Sequence, residues 1–281
     1  MRQFNQQQVR DSFNKAANTY DSVGELQQET SLQLLERLRL IKCQPQRILD
    51  LGSGTGFALP RLQEIYPTAE IISLDLAEKM LQVENYQRCR NFSLCGDIQQ
   101  LPILSGSIDL VFSNLSLQWC DLQLAFPEIA RVLNPKGLFI FTTMGPDTLK
   151  EFRYSWSQVD VGSHVNLFYD MHDVGDLMLQ AGLVDPVLDM ERCVKKYDSP
   201  RTAMTVLKAL GAHNLTAQRQ RGLMGRNKIQ QFISAYEKFT DPQGQFPLTY
   251  EVIYGFSWGV RQQQNDPDVA EFPIDKIKRL R

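Results

Sequence analysis

The fold is decided by residues 47–56, which read RILDLGSGTG. The first five residues form a short, mostly apolar strand pattern, and Gly52, Gly54 and Gly56 follow it at every second position. Glycine accepts positive φ angles and lets a ligand approach the backbone closely. A glycine-rich turn between a strand and a helix is typical of cofactor binding at the crest of a doubly wound sheet. We therefore predict an α/β fold with a ligand at this loop.

Strand and helix patterns alternate on both sides of the loop. We predict strands at residues 47–51, 70–75, 91–94, 108–113 and 138–143, and helices at residues 28–41, 58–66, from Ala77 onward and 121–133. The sequence NPKG at residues 134–137 is a turn signal between the last helix and the last of these strands. This alternation indicates βαβ units and a parallel sheet that helices cover on both faces.

The C-terminal part follows a different pattern. Two strand-like runs at residues 186–196 and 248–259 are separated by about fifty residues of helical pattern, far more than a hairpin needs. We predict five regions: a helical flap at 1–44, a cofactor-binding core at 45–196, a basic helical lid at 197–247, a final core strand at 248–260 and a loosely held tail at 261–281.

Composition excludes several classes of protein. The 281 residues include 30 basic and 32 acidic residues, a balance that argues against coating nucleic acid. There is no apolar run of about 18 residues and no apolar signal region, so we expect a cytoplasmic protein that does not contact membranes. The five cysteines form no CxxC pair and are expected to be reduced thiols.

The balanced total charge conceals a strongly basic segment. Residues 192–228 contain nine basic residues and one acidic residue, Asp198, for a net charge of +8. Such a segment can steer an acidic protein partner or bind nucleic acid. Aromatic residues suitable for stacking on bases are scarce there, so we expect no nucleic acid partner. A solvated surface without a partner is the third possibility.

Acidic residues at three successive strand ends indicate which ligand the loop binds. Asp50 lies two residues before Gly52, where its charge would repel a pyrophosphate, and the third glycine comes one residue too early for the dinucleotide fingerprint. A zwitterionic amino-acid ligand is more compatible: loop N–H groups can take its carboxylate, while carbonyls and Asp50 take its ammonium group. Asp75 can accept both ribose hydroxyls, and Asp97 can accept an adenine amino group.

With these features, residues 45–145 resemble the class I S-adenosylmethionine-dependent methyltransferases. The resemblance includes DLVFSN at residues 109–114 and LNPKGL at residues 133–138. It implies a Rossmann-like, seven-stranded, mostly parallel sheet and the cofactor S-adenosylmethionine, with S-adenosylhomocysteine as product. The cofactor-binding residues that it implies are Tyr20, Asp50, Gly52, Gly54, Gly56, Asp75, Leu76, Met80, Asp97, Ile98 and Asn114.

The flanking sequences resemble one branch, the malonyl-carrier-protein O-methyltransferases of biotin synthesis. The matching stretches are VRDSFNKAANTY at 9–20, Leu26-Gln27, VLKALGA at 206–212 and PLTYEV at 247–252. The resemblance implies methylation of the free carboxylate of a malonyl group on an acidic acyl carrier protein, with the basic lid steering the carrier. Malonyl-coenzyme A stays open as an acceptor, and so does the oligomeric state.

Two alternative functions stay open. A mitochondrial assembly factor that hydroxylates an arginine on a methyltransferase-like fold is similar in the same regions, including DMHDVGD at residues 170–176. A methyltransferase acting on another small acid or a quinone is the other alternative.

Substrate contacts are predicted in the lid, where Lys208, His213 and Arg226 are the candidates. No residue is predicted to act as an acid or base, because a carboxylate nucleophile is already ionised at neutral pH. Tyr20 is expected to cover the cofactor as part of the flap. We expect no metal site, because Asp170 reads as the N-cap of a helix over MHDVGDLMLQAG.

Overall fold

A computed structural model describes residues 4–83, 91–210, 214 and 225–259 of the chain. Within these residues, seven strands form a single sheet. In chain order they are β1 (Arg47–Leu51), β2 (Glu70–Asp75), β3 (Asn91–Cys95), β4 (Ile108–Asn114), β5 (Leu133–Met144), β6 (Val184–Tyr197) and β7 (Phe246–Trp258).

The sheet is mostly parallel, as predicted. Its strand order is β3-β2-β1-β4-β5-β7-β6. The first five strands in this order pair in parallel, whereas β7 is antiparallel to both β5 and β6. From β1 the strand order runs to β2 and β3 on one side, whereas β4 and β5 follow on the other side. The boundary between β1 and β4 is therefore a topological switch point. Open α/β sheets bind ligands beyond the carboxyl ends of the strands at this point.

Helices precede, connect and follow the strands. They are α1 (Gln6–Ala16), α2 (Tyr20–Val23), α3 (Glu25–Leu40), α4 (Leu59–Ile65), α5 (Leu122–Val132), α6 (Lys150–Ser157), α7 (Met171–Gln180), α8 (Pro200–Ala209) and α9 (Arg226–Tyr236). Short 3₁₀ turns occupy Met80–Gln82, Leu117–Trp119 and Glu237–Phe239. Within the described residues, no helix is long and apolar enough to cross a membrane.

Polar caps fix where several helices begin. Asn5, Asp121, Asp170 and Ser199 each accept a backbone N–H of the helix that follows, namely α1, α5, α7 and α8. Such caps satisfy donors that the first turn leaves unpaired. The predicted capping role of Asp170 is confirmed, since its carboxylate lies 2.7 Å from the His172 nitrogen.

The two faces of the sheet bury separate apolar clusters. Successive residues of a strand point to opposite faces. Accordingly, Leu110 and Phe112 pack with α3 and α4 on one face, while Val111 packs with α5 and α7 on the other. The predicted covering of both faces is confirmed. The helix α3 belongs to this packed core, because its Leu34 and Leu38 are almost completely buried against the sheet.

Two local predictions differ from the structure. Residues 77–83 contain only the 3₁₀ turn instead of the helix predicted from Ala77, because the amides of residues 80–83 each donate to the carbonyl three residues earlier and not four. Residues 84–90 lie outside the described part. The turn predicted at 134–137 falls within β5. This strand pairs with β4 first at Leu133, opposite Ile108, and its register against β4 then shifts. Lys136, within the shifted stretch, has a φ of 75°.

A helical segment precedes the last strand, as predicted. Helices α8 and α9 both lie between β6 and β7. On the α9 side, Phe232 and Tyr236 are fully buried and contact Phe152 of α6. We use "the insertion" below for residues 197–247; its role as a lid, like the other regional divisions, stays a prediction.

Candidate functional site

The glycine loop leaves β1 and turns tightly at the carboxyl edge of the sheet. Gly52, Gly54 and Gly56 have φ angles of 65°, 55° and 78°, a region in which glycine is strongly favoured. Gly52 is also required for steric reasons, because a Cβ atom there would lie 2.2 Å from Cβ of Ser116. The loop therefore needs glycine to pass beneath the residues that follow β4.

Asp75, at the end of β2, holds this loop in place. Its Oδ2 accepts the Gly54 N–H at 2.9 Å and its Oδ1 accepts the Ala77 N–H at 2.7 Å. Burial raises the pKa of Asp75 to about 6, because the loss of water outweighs the help of these backbone donors.

The predicted use of the loop N–H groups needs correction. The Gly52 and Ser53 N–H groups both donate to the Leu74 carbonyl, at 2.7 and 3.1 Å, and the Gly54 N–H donates to Asp75. These three amides are already engaged within the protein. They are therefore not the donors for a ligand carboxylate that the sequence pattern predicts.

Two adjoining cavities open above this edge, with volumes of about 570 and 470 Å³. Tyr20, Gly52, Gly54 and Asn114 line both cavities. The larger cavity is also lined by Asp75, Leu76, Met80, Asp97, Ile98 and Cys120. The smaller cavity is bounded by Asp50 and by residues at the start of α3. Because they share four lining residues, we treat the two cavities together as one cleft.

Unpaired acceptor atoms mark the smaller cavity. Asp50 Oδ2, Gln27 Oε1 and Ser31 Oγ are buried without a hydrogen-bond partner in the described structure, and all three residues line this cavity. Burial, with the charge of Asp75, raises the pKa of Asp50 to about 8. Buried polar atoms of this kind need a partner. A ligand ammonium group is the complementary one, since it carries three donors and a positive charge.

Aromatic residues cover the larger cavity. Phe13 of α1 packs edge-on against both Tyr20 and Trp119, with ring centroids 6.3 and 5.4 Å apart. Gln6 anchors the start of α1 by donating from Nε2 to the Trp119 carbonyl at 3.1 Å. Burial raises the pKa of Tyr20 above its usual range, and nearby Asp75 and Asp21 add to this. The phenol is therefore neutral and forms part of an apolar cover.

Cys120 contributes a thiol to the wall of the larger cavity. The residue is buried. Burial, together with the charges of Asp97, Asp121 and Asp75, raises its pKa well above the usual range for a thiol.

Comparison with known proteins identifies the family. Residues 49–141 match a family described as "Methyltransferase domain". The chain is 46% identical over 260 residues to a malonyl-[acyl-carrier protein] O-methyltransferase of Gallionella capsiferriformans, covering 89% of each chain. Likewise, it is 44% identical over 281 residues to the protein of the same name from Laribacter hongkongensis, covering 94% of each.

The chain belongs to the malonyl-[acyl-carrier protein] O-methyltransferase family. The predicted resemblance to this family is thereby confirmed. Solved structures agree on the fold: the YcgJ protein from Bacillus subtilis superposes with a TM-score of 0.60 at 16% identity, over 82% of this chain and 100% of that chain. A phosphoethanolamine N-methyltransferase from Haemonchus contortus gives a TM-score of 0.56 at 17% identity, over 90% of this chain and 60% of that chain.

In this member of the family, the cleft brings together most of the residues predicted for the cofactor. Ten of the eleven line one or both cavities: Tyr20, Asp50, Gly52, Gly54, Asp75, Leu76, Met80, Asp97, Ile98 and Asn114. Gly56 lines neither cavity and closes the loop by donating its N–H to the Ser53 carbonyl at 2.9 Å. Their contacts with a cofactor stay predictions.

The residues predicted for the substrate are placed differently. Lys208 lies exposed near the end of α8 and Arg226 lies exposed at the start of α9, and neither lines the two cavities. His213 lies outside the described residues. His164 and His172 pair with Asp160 and Asp170, and the described residues include no group of three potential metal ligands.

Four cations of the basic segment already have acidic partners. The Lys195 ammonium lies 2.7 Å from Glu29 and 3.2 Å from Glu25 in α3. The other three pairs are Arg192 with Asp147, Lys196 with Asp241 and Lys228 with Asp160, at 2.7, 2.7 and 2.6 Å. The net charge of +8 therefore overstates the free positive charge of this segment. Arg201, Lys208 and Arg226 are exposed, and no ion pair is found for them among the described residues.

The sequence reasoning missed several residues of the cleft. Gln27 and Ser31 were not among the predicted site residues, although Gln27 forms part of a motif shared with the family. Phe13 and Trp119 were also missed. For Phe13 and Gln27 the only sequence signal was the resemblance of residues 9–27 to the family, and from it only Tyr20 was predicted to contact the cofactor.

Proposed function

We propose that this protein transfers the methyl group of S-adenosylmethionine to the free carboxylate of malonyl-acyl carrier protein, forming the methyl ester that primes the synthesis of a biotin precursor. Membership of the family at 46% identity over most of the chain is the observation that carries this proposal. The cleft supports it, because it combines buried acids with acceptors suited to an amino-acid ammonium group.

The residues present fit this cofactor. Asp50 Oδ2, Gln27 Oε1 and Ser31 Oγ are acceptors for its ammonium group, each otherwise without a partner in the described structure. Asp75 retains lone pairs for ribose hydroxyls beyond the two it uses for backbone amides. Asp97, which lines the larger cavity, is the acceptor for the adenine amino group. When bound, the cofactor supplies an electrophilic methyl group on a sulfonium.

What remains for the protein to do is to position the acceptor and exclude water. A malonyl carboxylate is ionised at neutral pH and needs no general base. Alignment of the reacting atoms therefore supplies most of the catalysis. The aromatic cover of Phe13, Tyr20 and Trp119 keeps water from the larger cavity.

The exposed cations of the insertion are better placed to bind the carrier protein than to bind the malonyl group in the cleft. Neither cavity is lined by a lysine or arginine among the described residues. Lys208 lies one residue before Ala209, whose carbonyl accepts the Thr19 hydroxyl at 3.3 Å, so α8 adjoins the cover of the cleft. We therefore assign Arg201, Lys208 and Arg226 to an acidic carrier protein, which they attract through complementary charge.

The test is to incubate the protein with S-adenosylmethionine labelled in the methyl group and with malonyl-carrier protein, and then to identify the product by mass spectrometry. We expect a labelled methyl ester on the malonyl group and none with acetyl-carrier protein, which lacks the free carboxylate. Malonyl-coenzyme A in a parallel reaction measures how much the carrier contributes. No methyl ester from either malonyl thioester would overturn the proposal.

A further inference from the structure

A chain of hydrogen bonds connects the centre of the sheet to the smaller cavity. The buried Thr142 of β5 donates from its hydroxyl to Asn114 Oδ1 at 2.8 Å. Asn114, at the end of β4, in turn donates from Nδ2 to the backbone carbonyl of Gln27 at 2.9 Å. The relay of Thr142, Asn114 and Gln27 thus joins two core strands to the start of α3.

The direction of each hydrogen bond is fixed by its neighbours. The Leu115 N–H donates to Thr142 Oγ1 at 2.9 Å, which directs the Thr142 hydroxyl proton toward Asn114. Asn114 then presents its amide nitrogen to the Gln27 carbonyl, an atom that can only accept. Leu115 has a φ of 47°, a conformation that costs a non-glycine residue free energy and persists where its surroundings enforce it.

The relay ends beside the unpaired acceptors. Because Asn114 holds the backbone of Gln27, it also sets where the side chain of Gln27 begins. The Oε1 atom of that side chain is buried and unpartnered in the described structure, as is Oδ2 of Asp50, and both residues line the smaller cavity. Asn114 lines both cavities, but Gln27 and Asp50 line only the smaller one, so a shift of the Gln27 backbone would change the spacing of these acceptors more than the larger cavity.

We propose that Thr142 is a positioning residue for the amino-acid half of the cleft: through Asn114 it places Gln27 Oε1 so that this atom and Asp50 together receive a ligand ammonium group. The inference rests on the proposed function, since it assumes a ligand with adenosine and amino-acid halves. Thr142 itself touches no ligand, because it lines neither cavity.

Two ligands separate this role from a merely structural one. S-Adenosylhomocysteine has both halves, whereas 5′-methylthioadenosine has the adenosine and the thioether but no amino-acid part. We expect Thr142→Val, which keeps the shape but removes the hydroxyl, to weaken S-adenosylhomocysteine binding by about tenfold, the effect of roughly one hydrogen bond. Binding of 5′-methylthioadenosine, measured by the same calorimetric titration, should stay within about twofold.

Three further variants complete the test. Thr142→Ser keeps the hydroxyl and should restore binding. Thr143 is the next residue of β5, so its side chain points to the opposite face of the sheet. Thr143→Val removes its hydroxyl and should leave the binding of both ligands unchanged. Gln27→Met removes the acceptor but not the backbone carbonyl, so it should weaken S-adenosylhomocysteine selectively even if Thr142→Val proves too unstable to study.

The outcomes are distinguishable. If the wild-type protein binds neither ligand, the proposed function itself fails. If it binds both, and Thr142→Val and Gln27→Met weaken both ligands equally or neither of them, the positioning role is overturned.

Discussion

The cleft at the carboxyl edge of the sheet and the insertion between β6 and β7 both concentrate charge, but in opposite ways. In the cleft, Asp50 and Asp75 are held away from water, and their pKa values rise to about 8 and about 6. In the insertion, Lys228 is neutralised by Asp160, while Arg201 and Lys208 face solvent.

Under the proposed function, this difference corresponds to two kinds of ligand. Desolvated groups gain most from a small ligand that replaces the lost water at close range. Exposed cations gain little from any single contact, but they act over about 10 Å and so can steer a macromolecule. The largest effects of mutation are therefore expected in the cleft and the smallest in the insertion.

The largest effect is expected at Asp75. Asp75→Asn loses charge and at least one of its bonds to the Gly54 and Ala77 amides. We expect S-adenosylhomocysteine to bind more weakly by about 2–3 kcal/mol, or roughly 30–150-fold, in a calorimetric titration.

Asp109 provides the matched control for that change. It accepts the Gln46 and Arg47 N–H groups, both at 2.8 Å, but it lies at the opposite edge of the sheet and lines neither cavity. Asp109→Asn should lower the melting temperature and leave the dissociation constant unchanged. A similar loss of affinity in both variants would mean that Asp75 acts only on stability.

The next effect concerns pH. Because the pKa of Asp50 lies near 8, the carboxyl is protonated at pH 6, and an ammonium ligand must displace that proton. We expect the affinity for S-adenosylhomocysteine to rise between pH 6 and 8 by up to about tenfold per unit, with release of close to one proton near pH 7. Calorimetry in buffers of different ionisation enthalpy measures the release.

The same pKa shift has a consequence for stability. The folded-state pKa of Asp50 is raised above its usual 3.8, so the folded protein keeps this proton at pH values where the unfolded chain has lost it. The free energy of unfolding of the ligand-free protein therefore falls as the pH rises from about 4 through about 8. Asp50→Asn should remove both the loss of stability and most of the proton release. A proton release that persists in this variant would assign it to another group, Asp75 being the first to test.

A smaller effect is expected for the exposed cations. Reversing Arg201, Lys208 or Arg226 to Glu should raise KM for malonyl-carrier protein by about 3–10-fold at low salt, and the difference should shrink at high salt. KM for malonyl-coenzyme A should change less, because that substrate lacks the protein surface. Steady-state kinetics with both substrates gives the comparison.

Lys195→Glu is the informative contrast. It removes the ion pairs with Glu25 and Glu29 and places a third acid beside them, so it should lower the melting temperature. Equal effects of all four reversals on KM for the carrier would contradict the distinction between paired and free cations.

The smallest effect is expected at Asp160, which joins the loop after α6 to α9. Its carboxylate lies 2.6 Å from the Lys228 ammonium and 2.7 Å from His164, and these partners hold its pKa below the usual range. Asp160→Asn should cost about 1 kcal/mol, or roughly 2–4 °C in melting temperature. Asp198→Asn, an exposed acid of the insertion, should change nothing measurable in the same thermal scan.

The sign of the pH dependence follows from that lowered pKa. The stability that Asp160 contributes is present above the pKa of the unfolded carboxyl and is lost as the pH falls through the folded-state value. The melting temperatures of wild type and Asp160→Asn should therefore converge in acid. A difference that grows in acid would contradict the assigned ion pairs.

What the sequence predicted well was determined by local pattern. Strands β1 and β2 have the predicted bounds, because apolar runs and the glycine turn define them within a few residues. The acids at successive strand ends met at one edge because parallel strands place their carboxyl ends together.

What it did not predict depends on partners distant in the chain. The Lys79 amide donates to Asn14, 65 residues earlier, so nothing local marks the contact between α1 and the turn after β2. Lys195 is neutralised by Glu29, 166 residues away. A count of charges gives their sign but not their partners. Gln27 belongs to a helix of the core, so nothing local marks its side chain as part of the cleft.

Under the proposed function, the thiol of Cys120 lies in the wall of a cleft that holds a methyl donor. A thiolate is a far better nucleophile than a carboxylate, and one in this wall would compete for any methyl group carried by a sulfonium. The same burial and acidic neighbours that raise the pKa of Cys120 keep it protonated and inert. Under the proposed function, the acids that recognise the cofactor thus also protect the enzyme from methylating itself.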